Sequence, residues 1–235
     1  ILQEYGWRVG VCGELMTWPP SEVNGFMIPD LFALGPETYP SEYQFLQEFT
    51  LGQKEGSPAS SVFASKLLRS GIRPRTLVAG GKFMARRAVR RNEPYLAWFW
   101  HKALVQPRIY ADVTSRLARR DRTDYLTFHF HTTDTLSHRY WKYWEPDAFD
   151  DVLPKDIDRY GRVIPEAYRV ADDIVGQLWS LGDENTTVAI VSDHGFAPIP
   201  KGNYKYTFRL DRCLNVLGLE QRSVVPARLG ATHVL

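Results

Sequence analysis

An α/β fold built on a largely parallel sheet is what this sequence predicts, and three observations carry the prediction. Runs at residues 7–12, 125–130 and 186–191 are rich in β-branched, aromatic or aliphatic side chains and have strand length. Between the last two lies the clearest amphipathic helix of the chain. In residues 160–181 the side chains Val163, Ile164, Ala167, Val170, Ala171, Ile174, Val175, Leu178 and Leu181 recur in three- and four-residue steps. Strand, helix and strand in that order make a right-handed parallel crossover. The same two strands both stop at clusters of polar, metal-capable side chains, and open parallel sheets bind ligands outside the carboxyl ends of their strands.

Taken in order, residues 7–12 (WRVGVC) give the first strand. The segment 14–29 contains Pro19, Pro20, Asn24 and Gly25 and reads as a long loop, with Met16, Trp18 and Phe26 either packed beside the strand or facing a substrate. Residues 31–56 read as a surface connection holding one short helix at 42–49. A capped helix over 60–69 stops before Gly71. Arg86, Arg87, Arg90 and Arg91 put a basic stripe on a helix between 82 and 92; such stripes commonly meet water, with phosphate recognition as the alternative. Residues 93–122, aromatic first and basic later, supply one or two helices that feed the central strand, and His101 among them reads as a core histidine. Beyond the third strand, 198–205 is a loop, 208–217 a helix closed by Gly218, and the last residues the beginning of a strand.

A chain of 235 residues that is 44% apolar can bury a large core, so a single domain over 1–235 is expected and disorder is excluded. The net charge of +2 gives no bulk electrostatic argument for a nucleic-acid polymer or an anionic membrane, and no apolar run has the length of a membrane span. Cys12 and Cys213 lie outside any metal-binding Cys pattern and read as buried free thiols. The opening ILQEYGWRVGV has neither an initiator Met nor a signal-peptide pattern, and both ends look cut.

The chemistry concentrates at two places. After the strand 125–130 come Asp134 and His138, whose spacing puts both side chains on one face of a helical turn, close enough to hold one ion. After the strand 186–191 come Asp193 and His194, followed by Gly195, whose freedom at positive φ lets both side chains turn toward one point. Carboxylate oxygen and imidazole nitrogen suit zinc, which takes about four ligands, so each pair is part of a site. His129 and His131 are candidate outer partners orienting a ligand. The five Asp between 147 and 158 lack calcium-loop spacing and read as solvated.

These residues carry a resemblance. Asp134-x-x-x-His138 followed by Ser192-Asp193-His194-Gly195-Phe196, with SHRYWKYWEPD, NTTVAIVSDHGFAPIP and the earlier WRVGVCGELMTWPPSEVNGFMIPD, is similar to the type I phosphodiesterase/nucleotide pyrophosphatase family of the alkaline phosphatase superfamily, over about residues 5–219. The resemblance implies an alkaline-phosphatase-like three-layer sandwich with a largely parallel central sheet, truncated at both ends. It implies hydrolysis of phosphodiester or pyrophosphate bonds in nucleotides or related small molecules, with two divalent ions, zinc or else manganese. By it Asp134 and His138 serve one ion and Asp193 and His194 the other, while Asn24, Trp18 and Trp141 lie in substrate-facing loops.

The family's Thr nucleophile and one Asp belong upstream of residue 1, and a third His well downstream of His194. Thr17 does not match the nucleophile, and His233 lies near the chain's end. The fragment is therefore expected to be inactive alone. Alternatives within the superfamily are a sulfatase, a phosphonate hydrolase or a phosphoglycerate mutase; outside enzymes, the alternative is a non-catalytic metal-binding domain.

Overall fold

Three four-residue strands form a parallel sheet in the order β2-β1-β3, with β1 at Val9–Cys12, β2 at Gly25–Ile28 and β3 at Tyr125–Phe128. The computed structural model describes residues 1–55 and 61–199. By its internal contacts the chain divides into two units, Ile1–Pro198 and Ile199–Leu235, and the elements described belong to the first. The predicted 208–217 helix, Cys213 and His233 lie outside the described residues.

The helices are α1 (Gln44–Glu55), α2 (Ser61–Arg69), α3 (Pro74–Val89), α4 (Tyr95–Asp121), α5 (Thr132–Trp144), α6 (Pro154–Tyr160) and α7 (Val163–Trp179). α4 is one helix of 27 residues despite Pro107 inside it, and at 1.5 Å per residue it runs about 40 Å. Its buried face, Ile109, Val113 and Leu117, meets Cys12, Phe26, Ile28 and the side chains of Tyr43, Phe45 and Leu46 in the main core. A second cluster joins Leu136, Tyr140 and Tyr143 of α5 to Tyr160, Val163, Ile164 and Ala167. A third sets Ala111 of α4 against Val170 and Ile174 of α7, with Phe128 and Phe130 beside them. Burial pushes the Cys12 thiol up to about 12, which makes it an inert core group.

Several sequence expectations are corrected. The long loop at 14–29 contains strand β2, hidden by the Pro and Asn residues before it. Gly25 makes the pairing possible, because at φ 147° a Cβ would drive into the Val9 carbonyl on β1. The connection at 31–56 is no surface segment: Phe45 and Leu46 are buried, and Gln47 is buried with its amide donating to the Pro29 carbonyl at 2.5 Å. The basic helix begins at Pro74, eight residues earlier than expected, because proline suits a first helical turn. β3 ends at Phe128, two residues short of the predicted end.

The strand predicted at 186–191 does not form. Thr186 is engaged in a turn instead, its hydroxyl donating to Asp183 Oδ1 and accepting from the Asp183 N–H, both at 2.9 Å. Val188, Ile190 and Val191 beyond it are solvent-exposed and irregular. The parallel crossover through α7 is therefore not closed by a fourth strand among the described residues.

Candidate metal centre at the carboxyl edge of the sheet

Because all three strands are parallel, the segments leaving their carboxyl ends emerge at the same edge. Glu14 comes after β1, Asp30 after β2, and His129, His131 and Asp134 after β3. Glu14 accepts a hydrogen bond from the Thr127 hydroxyl on β3, and its other oxygen lies 3.9 Å from His129 Nδ1. The rings of His129 and His131 are 5.7 Å apart, and His131 Nε2 lies 3.9 Å from Asp134 Oδ2. Burial dominates at His131 and lowers its pKa, against the opposing pull of Asp134.

α5 carries the central donors. Its start is fixed by an accounting forced by Pro107: proline has no N–H, so the Ala103 carbonyl one turn earlier in α4 has no helical donor. The Thr132 hydroxyl, at the first position of α5, supplies one at 3.2 Å. Two residues on, Asp134 sits in the first turn, where a carboxylate also favours the helix dipole. His138 comes one turn later, and its Nε2 stands 3.3 Å from Asp134 Oδ1.

The Asp-His-Gly-Phe segment lies against the same helix. His194 Nε2 is 3.9 Å from Asp134 Oδ1 and 3.7 Å from Asp193 Oδ2. The Phe196 ring holds the segment there, edge-on to His138 at 4.9 Å and tilted over Trp141 at 5.1 Å. The hydrogen-bonded pairing of His194 Nδ1 with the Gly195 carbonyl at 2.9 Å raises the His194 pKa, with Asp193 adding to it.

Of the predicted donors, Asp134, His138 and His194 are thus brought around one carboxylate, while the Asp193 side chain is largely exposed beside them. Two ligands of one tetrahedral zinc, each ~2.0–2.2 Å from it, stand roughly 3.3–3.5 Å apart, so the Asp134–His138 pair has the separation of a shared ion. The His194 separation is wider, and among the described residues no three such side chains form a group placed to hold a metal. The donor chemistry of the Asp134–His138 pair fits a divalent ion.

The three substrate-side candidates separate. Trp141, one helical turn beyond His138, flanks the donors through Phe196. Trp18, in the loop after β1, donates its indole N–H to Glu37 at 2.7 Å. Asn24 precedes β2, its carbonyl accepting from Val9 N at 2.8 Å, and so lies at the amino edge, opposite the donors. Glu14 and Asp30 were missed by sequence reasoning. The strand-end rule applied to β1 would have pointed to Glu14, but Asp30 required knowing that β2 is a strand.

Carboxylate and imidazole side chains thus gather beyond the carboxyl ends of parallel strands in a mixed α/β protein. The sequence matches the family described as Type I phosphodiesterase / nucleotide pyrophosphatase over residues 15–231, and the chain belongs to that family. Its fold class is the alkaline-phosphatase-like one. No curated protein and no solved structure gives a match. Among the described residues no helix is long and apolar enough to cross a membrane.

Proposed function

We propose that this chain supplies metal-holding residues of a hydrolase that cleaves phosphodiester or pyrophosphate bonds in nucleotides or related small molecules. The observation that carries the reading is the approach of three donors from two separate segments, His138, His194 and Asp134, to a common point at the strand ends. Family membership supports the reaction class. Asp134 and His138 are assigned to one divalent ion and Asp193 and His194 to a second, zinc by donor chemistry or else manganese. When bound, such ions lower the pKa of an attacking oxygen and offset charge on the phosphoryl oxygens.

The chain's own contribution is positional. Thr132 fixes the start of α5, α5 fixes the spacing of Asp134 and His138, and Phe196 against Trp141 holds the Asp-His-Gly turn beside them. Trp141, half-buried with its ring against Phe196, is the aromatic side chain next to the donors that would stack a nucleobase. No nucleophile is assigned within the chain.

Zinc binding measured by equilibrium dialysis tests the ligand assignment separately from activity. Zinc bound by the intact chain is expected to weaken at least about 100-fold in Asp134→Ala, whose carboxylate faces both imidazoles. Unchanged binding in Asp134→Ala and His138→Ala would remove both from the ligand set. In a protein that joins this chain to a nucleophile, hydrolysis of bis-p-nitrophenyl phosphate is expected to be chelator-sensitive and abolished by His138→Ala or Asp193→Ala.

A further inference from the structure

Away from the donors, the charge of this chain is concentrated in one place. Residues 66–92 hold nine Lys and Arg and no Asp or Glu, while the rest of the chain holds twenty basic and twenty-seven acidic residues. The near-neutral total hides a strongly cationic arm on an anionic body.

α3 forms most of that arm, and its polarity is inverted. Thr76 is buried on the side packed toward the body, where Arg73, just ahead of the helix, bonds Asp112 and Arg75 bonds Gln177. The face turned to solvent is apolar: Leu77 is 41% exposed, Val78 56%, Met84 61% and Val89 84%. At 100° per residue these four, with Gly81, Ala85 and Ala88 between them, share one side of the helix. Lys82 borders the face and is exposed, as is Arg91 just past its end. Arg87, Arg91, Met84 and Ala88 line a shallow groove there.

We infer that the outer face of α3 is a peripheral docking surface for an anionic lipid membrane. An apolar helix face bordered by Lys and Arg lies in the plane of a bilayer interface, with apolar side chains among the acyl chains and cations at the headgroups. Charge complementarity selects this occupant. A second copy would set the bordering Lys82 and Arg91 against their own counterparts, and a nucleic acid would satisfy the charge while leaving Leu77, Val78, Met84 and Val89 in water. Each basic residue near an anionic surface strengthens binding about fivefold.

Co-sedimentation of the full chain with vesicles tests this, comparing phosphatidylcholine alone with phosphatidylcholine containing phosphatidylserine. Binding is expected only to the anionic vesicles, to fall in high salt, and to resist excess inorganic phosphate. Lys82→Glu with Arg91→Glu is expected to weaken it at least about tenfold. Val78→Asp with Val89→Asp, at positions already in solvent, is expected to do the same with unchanged circular dichroism and Tm. Equal binding to both vesicle types, no binding, displacement by phosphate, or indifference to the apolar pair would overturn the inference. Concentration-dependent self-association abolished by the apolar pair would assign the face to a second copy instead.

Discussion

The bond between Thr132 and the Ala103 carbonyl makes a prediction that depends on Pro107, a residue in another helix. In wild-type protein the Thr132 hydroxyl is the donor found at that carbonyl, because residue 107 has no N–H to give it. Thr132 is 8% exposed, so Thr132→Val keeps the shape but leaves a carbonyl in a poorly solvated place without a donor. The loss is expected to be about 1–2 kcal/mol, the cost of stranding one such group. For a chain of this size that is a fall of about 3–6 °C in Tm. Pro107→Ala restores an N–H one turn beyond Ala103, and Thr132→Val in that background is expected to cost under about 0.5 kcal/mol. A double-mutant cycle by urea unfolding measures the coupling, expected near about 1 kcal/mol. Equal losses in both backgrounds would refute the accounting, and with it the claim that Pro107 sets where the donor-bearing helix begins.

Two further outcomes concern stability. Asp112 is 2% exposed and accepts from Arg73 N at 2.9 Å and Gln177 Nε2 at 3.0 Å, with Arg73 Nε 3.6 Å away. Asp112→Ala strands these donors and is expected to cost about 3–5 kcal/mol in urea unfolding, and Asp112→Asn clearly less; a loss under about 1 kcal/mol for the alanine contradicts the network. His101 is neutral in the folded protein because burial, with repulsion from Arg86, pushes its pKa down to about 4. The unfolded chain takes up that proton at about pH 6.5, so stability is expected to be level above that pH and to decline by up to about 3 kcal/mol as pH falls to about 4. His101→Phe is expected to flatten that limb, and an unchanged Tm-versus-pH curve in the variant would assign the slope elsewhere.

What was legible in the sequence was local. The aromatic run into β3, the three-four stripe of α7 and the one-turn spacing from Asp134 to His138 each depend on neighbours within a few residues, and each appears in the structure. What was not legible depended on distant partners. β2 is four residues long and becomes a strand only because Val9–Cys12 offers it an edge. Gln47 is buried in a polar-looking stretch because two backbone carbonyls, of Pro29 and Asp30, await its amide. Glu14 joins the edge cluster through Thr127, far away in the chain.

The failed strand at 186–191 shows how the donor cluster can assemble without the sheet that was expected to assemble it. A parallel strand beside β3 would deliver Asp193 and His194 to the carboxyl edge by register alone. Instead, Phe196 reaches the exposed edge of α5 and its ring engages both His138 and Trp141, drawing the Asp-His-Gly turn within 3.9 Å of Asp134. A single aromatic anchor fixes position less tightly than a ladder of backbone hydrogen bonds, since the turn can rotate about it. That difference accounts for the geometry observed: His138, set on one rigid helix with Asp134, stands 3.3 Å from its carboxylate, while His194, set by a side-chain contact, stands 3.9 Å from it.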